Sequence, residues 1–260
     1  MPPRSLARQI LSFIPVAIFG ICATGCTLFD EFFDESVSLA EFAPVSAHVT
    51  VELADVSRSQ LVLEGKEGMC PTMKDDIEAR VDDKPMDVFI RGGQQPNSQG
   101  GWICGMPTFR RNVASSDLGK ASTRFIVEDD TKTITVEATG LLQERTIAPT
   151  VKDVPIEAGV ETSFDWSVAT DEIDPELLLV DFVYDDAALS LSSTAWTRVD
   201  GSLVHIRLPA DAPAGKGMLQ VEVTANVPVE KCDGVPACDA SVHARAEVEL
   251  EVVASKPPNP

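Results

Sequence analysis

The chain has 260 residues, of which 44% are hydrophobic and 24% are charged. These fractions lie near the globular average and exclude wholesale disorder and a collagen-like repeat. The 41 acidic residues outnumber the 21 basic residues and give a formal net charge of −20. Because nucleic-acid binding depends on basic side chains that displace phosphate counterions, this composition argues against a nucleic-acid partner.

The N-terminal segment has the layout of an export signal. Arg4 and Arg8 precede an almost wholly apolar run from Ile10 to Ala23. This run is shorter than the roughly 20 residues of a membrane-spanning helix, whereas a secretory signal needs an apolar region of about 7 to 15 residues. We therefore expect residues 1–25 to be a signal peptide.

The end of this signal carries a more specific pattern. Ala23-Thr24-Gly25-Cys26 resembles the lipobox of bacterial lipoproteins, although that family more often has leucine where Ala23 stands. The resemblance implies that Cys26 receives a diacylglycerol and that fatty acids such as palmitate anchor the new amino terminus. It further implies a lipidated tether over 26–44 and, because Thr27 follows the cysteine, favours the outer membrane. The alternative is an ordinary signal peptide that leaves Cys26 as a free thiol.

Four of the six cysteines remain after Cys22, which leaves with the signal, and Cys26, and these four agree with export. An even number of cysteines in an exported chain indicates disulfides, and four cysteines allow three connectivities. If the chain forms two domains, the natural pairing joins Cys70 to Cys104 and Cys232 to Cys238. A zinc site is the alternative, although neither pair has the two-residue spacing of zinc ribbons.

The rest of the chain is typical of strands. Apolar and polar residues alternate from about residue 47 onward, most regularly over 219–227 and 242–252. This period of two predicts half-buried strands, and no sustained helical period accompanies it. The run Leu177-Leu178-Leu179-Val180 does not alternate and predicts a strand buried on both faces.

The spacing of these strands predicts an all-β chain of two antiparallel β-sandwiches, at 45–147 and 148–254. In general architecture this part resembles tandem immunoglobulin-like domains, although neither half has the cysteine and tryptophan spacing of antibody domains. The alternative is one large sandwich or barrel. Residues 255–260 are rich in proline and predict a disordered tail.

No motif indicates catalysis. No Gly-x-Ser-x-Gly turn occurs, and the histidines His48, His205 and His243 fall at outward strand positions, where we expect solvated side chains. Aspartate pairs stand at predicted turns: Asp75-Asp76, Asp82-Asp83, Asp129-Asp130 and Asp185-Asp186. Such oxygen-rich turns can bind calcium, but no 12-residue calcium loop is present, so plain turns are favoured. We expect no enzyme, no cofactor and no metal-ligating set, with calcium as the alternative.

One loop is the best candidate for a contact site. The polar stretch 94–101 precedes Trp102, inside the segment that a Cys70–Cys104 bridge would close. Loops held by a rigid scaffold often carry binding, and tryptophan is a frequent anchor. The predicted contact residues are Gln94, Gln95, Asn97 and Trp102. The alternative is that Trp102 covers the edge of a sandwich.

These observations predict a membrane-anchored, exported lipoprotein. Its non-catalytic β-sandwich modules would support structure or bind an envelope protein or a glycan. The alternatives are a carbohydrate-binding module or glycan hydrolase at the cell envelope, and a calcium-stiffened adhesion rod. No motif names the partner, the membrane face or the oligomeric state.

Overall fold

A computed structural model describes residues 36–54, 56–66, 70–152, 154–184 and 187–255. All of these residues belong to one unit, Glu35–Pro260. The predicted signal peptide, Cys26, most of the predicted tether and nearly all of the predicted tail lie outside the described residues.

Strands make up nearly all of the regular structure that is described. The first twelve are β1 (Ser36–Val37), β2 (Ser46–Leu53), β3 (Arg58–Glu64), β4 (Thr72–Met73), β5 (Glu78–Val81), β6 (Lys84–Pro85), β7 (Asp87–Ile90), β8 (Gln94–Pro96), β9 (Trp102–Cys104), β10 (Thr108–Asn112), β11 (Ser122–Glu128) and β12 (Thr133–Thr139). The others are β13 (Thr146–Pro149), β14 (Ile156–Glu157), β15 (Glu161–Ser167), β16 (Glu172–Ile173), β17 (Leu179–Tyr184), β18 (Ala187–Ser190), β19 (Thr197–Asp200), β20 (Leu203–Arg207), β21 (Gly215–Asn226), β22 (Val229–Asp233) and β23 (Ala237–Val253). A helix, α1 (Leu39–Phe42), and a 3₁₀ turn (Ser115–Asp117) complete them. The predicted all-β class is confirmed.

The strands form three larger sheets and two small ones. The largest has ten strands, in the order β18-β17-β21-β23-β2-β3-β10-β7, with β14 beside β23 and β16 beside β21. A second sheet runs β22-β12-β11-β5-β6, and a third runs β13-β15-β20-β19. The pairs β1-β4 and β8-β9 stand apart. Most pairs are antiparallel, as the short connections predict.

Strand β23 links the two halves of the chain. It pairs in parallel with all of β2, from Ser46 to Leu53, and in antiparallel with all of β21. Strand β22 in turn pairs with β12. The segment 229–244 thus joins strands of the first half, while the division into 45–147 and 148–254 stays a prediction.

The core is a continuous cluster of apolar side chains from both halves. Its largest fully buried members include Trp166, Phe109, Phe125, Phe164 and Phe182. Each such side chain contributes roughly 1.5–3 kcal/mol by leaving water. The inward position predicted for Trp166 is confirmed, since only 2% of that residue is exposed.

The structure differs from the prediction at the end of the tether 26–44. Helix α1 buries Leu39 and Phe42 in the core, three residues apart on one face of a single turn. Ser38 caps this helix, and Oδ2 of Asp129 accepts a hydrogen bond from the Leu39 amide at 2.6 Å. The last part of the predicted tether is therefore part of the folded unit.

The prediction for the leucine run is wrong. Leu178 and Val180 are buried, but Leu177 and Leu179 are 52% and 50% exposed. Strand β17 has only one face on the core, so Leu179 is exposed and Val180 is buried although both are apolar.

Candidate functional site

Strands β8 and β9 form a hairpin inserted between β7 and β10. A disulfide between Cys70 and Cys104 ties it to the segment before β4. The amide of Gly93 donates to the Pro71 carbonyl at 3.0 Å, and the amide of Gly105 donates to the Gly93 carbonyl at 2.8 Å. The base of this stapled hairpin, residues 94–104, is thus fixed by one covalent and two backbone contacts.

Asn97 shapes the turn of the stapled hairpin. Its Oδ1 accepts hydrogen bonds from the amides of Gln99 at 3.0 Å and Gly101 at 2.7 Å. Gly100 has φ of 78°, a left-handed conformation that favours glycine. The Asn97 side-chain oxygen is therefore committed to the turn.

Trp102 and Gln94 lie on the same face of the hairpin. Trp102 stands opposite Pro96, and Gln94 stands opposite Cys104. Opposite residues of an antiparallel pair share a face, as do residues two apart on one strand. An indole and a primary amide are therefore neighbours on one side of the hairpin.

Gln95 belongs to the other face. It stands opposite Ile103, and its side chain lies over Gly105, where a Cβ atom would come within 2.7 Å of Gln95 Nε2. Of the four predicted contact residues, the hairpin thus brings together Gln94 and Trp102. Their role in binding stays a prediction.

The indole of Trp102 does not cover the edge of a sandwich, because the residue is 68% exposed. Further apolar side chains that the sequence analysis missed are exposed in the same segment: Phe89 at 56%, Ile103 at 53% and Met106 at 46%. The guanidinium carbon of Arg110 lies 3.5 Å from the centre of the Phe89 ring, a cation–π contact. Phe89 was missed because an apolar strand looks the same in sequence at a sheet edge and at a sheet centre, and β7 is an edge strand.

The stapled hairpin has no ionisable side chain apart from Cys104, which is in the disulfide. It offers an indole, amides, a hydroxyl and exposed backbone. This set can bind through apolar contact and neutral hydrogen bonds, and it holds no general acid or base.

His48 lies in a hydrogen-bonded cluster on β2. Its Nδ1 is 2.5 Å from Asp239 Oδ2, and its Nε2 is 2.9 Å from Ser46 Oγ. These distances are those of a serine–histidine–aspartate triad. Ser46, however, is buried, and its hydroxyl donates a hydrogen bond to Glu64 Oε2 at 2.7 Å. Hydrogen bonds from Ser46 and His48 lower the pKa of Glu64. The cluster therefore joins three strands and has no accessible nucleophile.

The prediction of a solvated side chain is wrong for His205. The residue is 9% exposed, and its Nδ1 lies 2.8 Å from Ser163 Oγ on the neighbouring strand. Ser163 and Arg198 stand opposite it on its two flanking strands. His48 and His243 keep side chains that are 36% and 38% exposed.

Two of the four aspartate pairs, Asp82-Asp83 and Asp129-Asp130, contain residues that make contacts within the protein. Asp82 and Asp83 have positive φ and form the turn between β5 and β6. Asp82 Oδ2 accepts a hydrogen bond from Lys120 at 2.8 Å, and Asp129 holds α1. Among the described residues, which exclude Asp185 and Asp186, no three His, Cys, Asp or Glu side chains are placed to hold a metal ion.

Both expected disulfides are present, Cys70–Cys104 and Cys232–Cys238. The cysteines are therefore paired with each other rather than arranged around zinc. Two disulfides are typical of an oxidising, exported environment. In the part of the chain that the structure describes, the helices are too short to cross a membrane.

No protein family and no curated protein matches the chain. Solved structures match weakly. Murine CEACAM1b is 8% identical over 80% of this chain and 100% of its own, with a TM-score of 0.21. The titin Ig tandem domains A164-A165 are 13% identical over 82% and 95%, with a TM-score of 0.20, and a Bacteroides vulgatus protein with a proposed DNA-binding role is 10% identical over 80% and 99%, with a TM-score of 0.30. At these scores the matches carry no functional argument. The chain is all-β by its own strand pairing, and tandem immunoglobulin domains are among the structures to which it is similar.

Proposed function

We propose that this protein is an exported, lipid-anchored component of the cell envelope whose non-catalytic β-sandwich fold presents the stapled hairpin to an envelope partner. The observation that carries the binding role is the 68% exposure of Trp102 on a disulfide-tied hairpin. The lipid anchor is supported by the lipobox-like residues 23–26. Export is supported by the two disulfides.

The rigidity of the hairpin supports recognition. Association loses part of its favourable free energy to the ordering of loops and side chains, and a loop that is already fixed avoids that loss. Tryptophan is enriched among the residues that dominate binding energy, because its large apolar area has few rotatable bonds. The fixed and exposed side chain of Trp102 has the properties of a residue that dominates binding energy.

A glycan is the second candidate partner. Trp102 and Gln94 share one face, so an indole plane stands beside an amide that can both donate and accept hydrogen bonds. A sugar ring offers matching apolar and hydroxyl surfaces. The hairpin offers no carboxylate, so glycan hydrolysis, which uses two, has no support there.

Metabolic labelling tests the anchor. Cells that express the full chain are fed an alkyne-bearing fatty acid, and the protein is isolated and assayed for label and for membrane association. Wild type should be labelled, and Cys26→Ala should lose both label and membrane association. Cys22→Ala is the matched control and should keep both, because residue 22 leaves with the signal. An unlabelled wild type, or a labelled Cys26→Ala, contradicts the anchor.

Two binding measurements test the hairpin. The purified protein is applied to a glycan array, and intact cells are crosslinked before the protein is isolated. Trp102→Ala should weaken the observed binding at least tenfold, whereas Val160→Ala, at another exposed apolar residue, should not. Array binding that needs Trp102 identifies a glycan, and a Trp102-dependent crosslink with a silent array identifies a protein. Binding that Trp102→Ala leaves unchanged in both assays refutes the proposal.

A further inference from the structure

A small cavity lies between the largest sheet and the second sheet. We call it the intersheet cavity, and its volume of about 10 Å³ is close to the space that one water molecule needs. It is separate from a wide surface cleft that is lined in part by Glu52, Leu118 and Glu222. Its size limits the ligands that it can hold to the smallest ones.

Both sheets contribute polar side chains to the intersheet cavity. Ser59 on β3 and Arg111 on β10 stand opposite each other in the largest sheet. Thr123 on β11 comes from the second sheet, and Asp117 comes from the 3₁₀ turn between β10 and β11. The other lining residues are Val81, Asp82, Val113 and Leu142. A ligand in this space therefore contacts two layers of the fold at once.

Thr123 carries a hydroxyl in a row of apolar core residues. Phe125 and Val127 follow it at the inward positions of β11, and both are fully buried. Thr123 is 1% exposed, and its Oγ1 has no hydrogen-bond partner among the described residues. Valine has nearly the same shape without the hydroxyl, so packing alone does not account for a threonine at this position.

Arg111 contributes a second unpaired group. Its Nη1 donates to the Pro85 carbonyl at 2.7 Å, but its Nε is buried and has no hydrogen-bond partner in the described part of the chain. Buried polar atoms nearly always have a partner, either in the protein or in an ordered water. Guanidinium nitrogens only donate, whereas a hydroxyl both donates and accepts. The ligand must therefore accept a hydrogen bond from Arg111 and exchange one with Thr123.

The charges around the intersheet cavity disfavour an ion. Lys84 Nζ donates to both carboxylate oxygens of Asp117, and Lys120 Nζ donates to Asp82 Oδ2 at 2.8 Å. These carboxylates repel an anion, and the guanidinium of Arg111 repels a cation. A neutral ligand that can both donate and accept hydrogen bonds avoids both conflicts.

We propose that the intersheet cavity binds one internal water molecule that joins Arg111 Nε to Thr123 Oγ1. The water accepts a hydrogen bond from Arg111 and bonds the hydroxyl of Thr123, so it links β10 in the largest sheet to β11 in the second sheet. Buried waters typically form about three hydrogen bonds with groups that the protein leaves unpaired. This site is independent of the stapled hairpin and of its proposed partner.

A crystal structure of the purified protein tests the site directly. One ordered solvent atom should lie within about 3.2 Å of both Thr123 Oγ1 and Arg111 Nε. Crystals grown with bromide in place of chloride separate water from an anion, because bromide gives anomalous scattering. An empty cavity, or an anomalous peak inside it, overturns the proposal.

Variants give a test in solution. Oxygen-17 relaxation dispersion counts the water molecules that a protein holds for longer than it takes to tumble. Thr123→Val keeps the shape of the side chain and removes the hydroxyl, so it should hold one water molecule fewer than the wild type. Thr123→Ser keeps the hydroxyl and should hold the same number as the wild type.

Thr133→Val is the matched control, because Thr133 is an exposed threonine on β12. It should leave the number of held water molecules unchanged. Equal counts for the wild type and Thr123→Val, or an equal loss in Thr133→Val, contradict the proposal. The crystallographic test needs only the wild type, so it decides the question even if Thr123→Val fails to fold.

Discussion

Arg145 and Asp171 form a fully buried ion pair where the chain passes from the first half to the second. The Arg145 Nη1 also donates to the carbonyls of Gly140 and Gln143, both at 2.6 Å. Trp166 Nε1 donates to Asp171 Oδ2 at 3.0 Å. Each charged group therefore has several partners, the condition under which a buried pair persists.

Removing one partner of this pair should be costly. Arg145→Met is expected to lower the free energy of unfolding by about 3–5 kcal/mol, because Asp171 remains buried and uncompensated. Urea denaturation measures the change. The control is Arg198→Met, which breaks the exposed pair with Glu161 and should cost far less. Equal losses in the two variants would show that burial does not set the importance of the pair.

Asp117 gives stability a dependence on pH. Lys84 Nζ donates to both of its carboxylate oxygens, at 2.6 and 2.7 Å, and this contact lowers the pKa of Asp117. A carboxyl whose pKa is lowered by folding stabilises the folded state above its unfolded pKa of about 3.9. That stabilisation is lost as pH falls through the folded pKa.

Asp117→Asn should therefore be less stable than wild type at pH 7, and the difference should shrink as the pH falls below about 4. Urea unfolding at a series of pH values measures it. Asp75→Asn, at a side chain that is 95% exposed, is the control and should change stability little at any pH. A difference for Asp117→Asn that stays constant with pH would contradict the role given to Lys84.

At the scale of elements, Asn97 should hold the turn of the stapled hairpin without contributing much to global stability. Asn97→Ala removes the acceptor for two turn amides, so exchange within 94–104 should become faster while the melting temperature changes little. Hydrogen exchange with mass spectrometry measures the exchange within 94–104, and thermal denaturation measures the melting temperature. Gln99→Ala keeps its backbone donor and should leave exchange in the hairpin unchanged.

The two disulfides close loops of different length and should differ in their effect on stability. The paired cysteines are 34 residues apart for Cys70–Cys104 and 6 apart for Cys232–Cys238. The chain-entropy model gives about 4 kcal/mol for the first and about 2 kcal/mol for the second. Paired Cys→Ser variants measured by chemical denaturation test this order, and a larger loss for the shorter loop would contradict it.

Strands were predictable where one face meets the core, as in β2, β12, β21 and β23, because alternation follows directly from that geometry. The helix α1 was missed because four residues are too few to show a helical period, and its burial depends on Asp129 far along the chain. Leu179 was misplaced because the sequence does not show how many faces of β17 the core covers.

The candidate sites also differ in whether the sequence alone could predict them. The stapled hairpin could be found because its glycines, asparagine and cysteines are local signals. The surface cleft lined by Glu52, Leu118 and Glu222 could not, since these residues are distant in sequence and are brought together only by the fold.

At the scale of the whole molecule, the pairing of β23 with both β2 and β21 predicts one cooperative unfolding transition. Phe125→Ala, in the first half, should cost about 3–5 kcal/mol and should lower the midpoint reported by Trp166, in the second half. The background for this measurement is Trp102→Phe with Trp196→Phe, which leaves Trp166 as the fluorescent reporter. A Trp166 midpoint that does not move would show that the halves unfold separately.

The place of β23 in the largest sheet also affects the order of events during folding. Residues 237–244 complete a parallel ladder with residues 46–53, so two segments at opposite ends of the described chain must meet before the sheet has its centre. A polypeptide that emerges from a ribosome or a translocation channel, amino end first, cannot form this ladder until nearly all of it has passed. The largest sheet therefore cannot be completed until residues 237–244 have emerged.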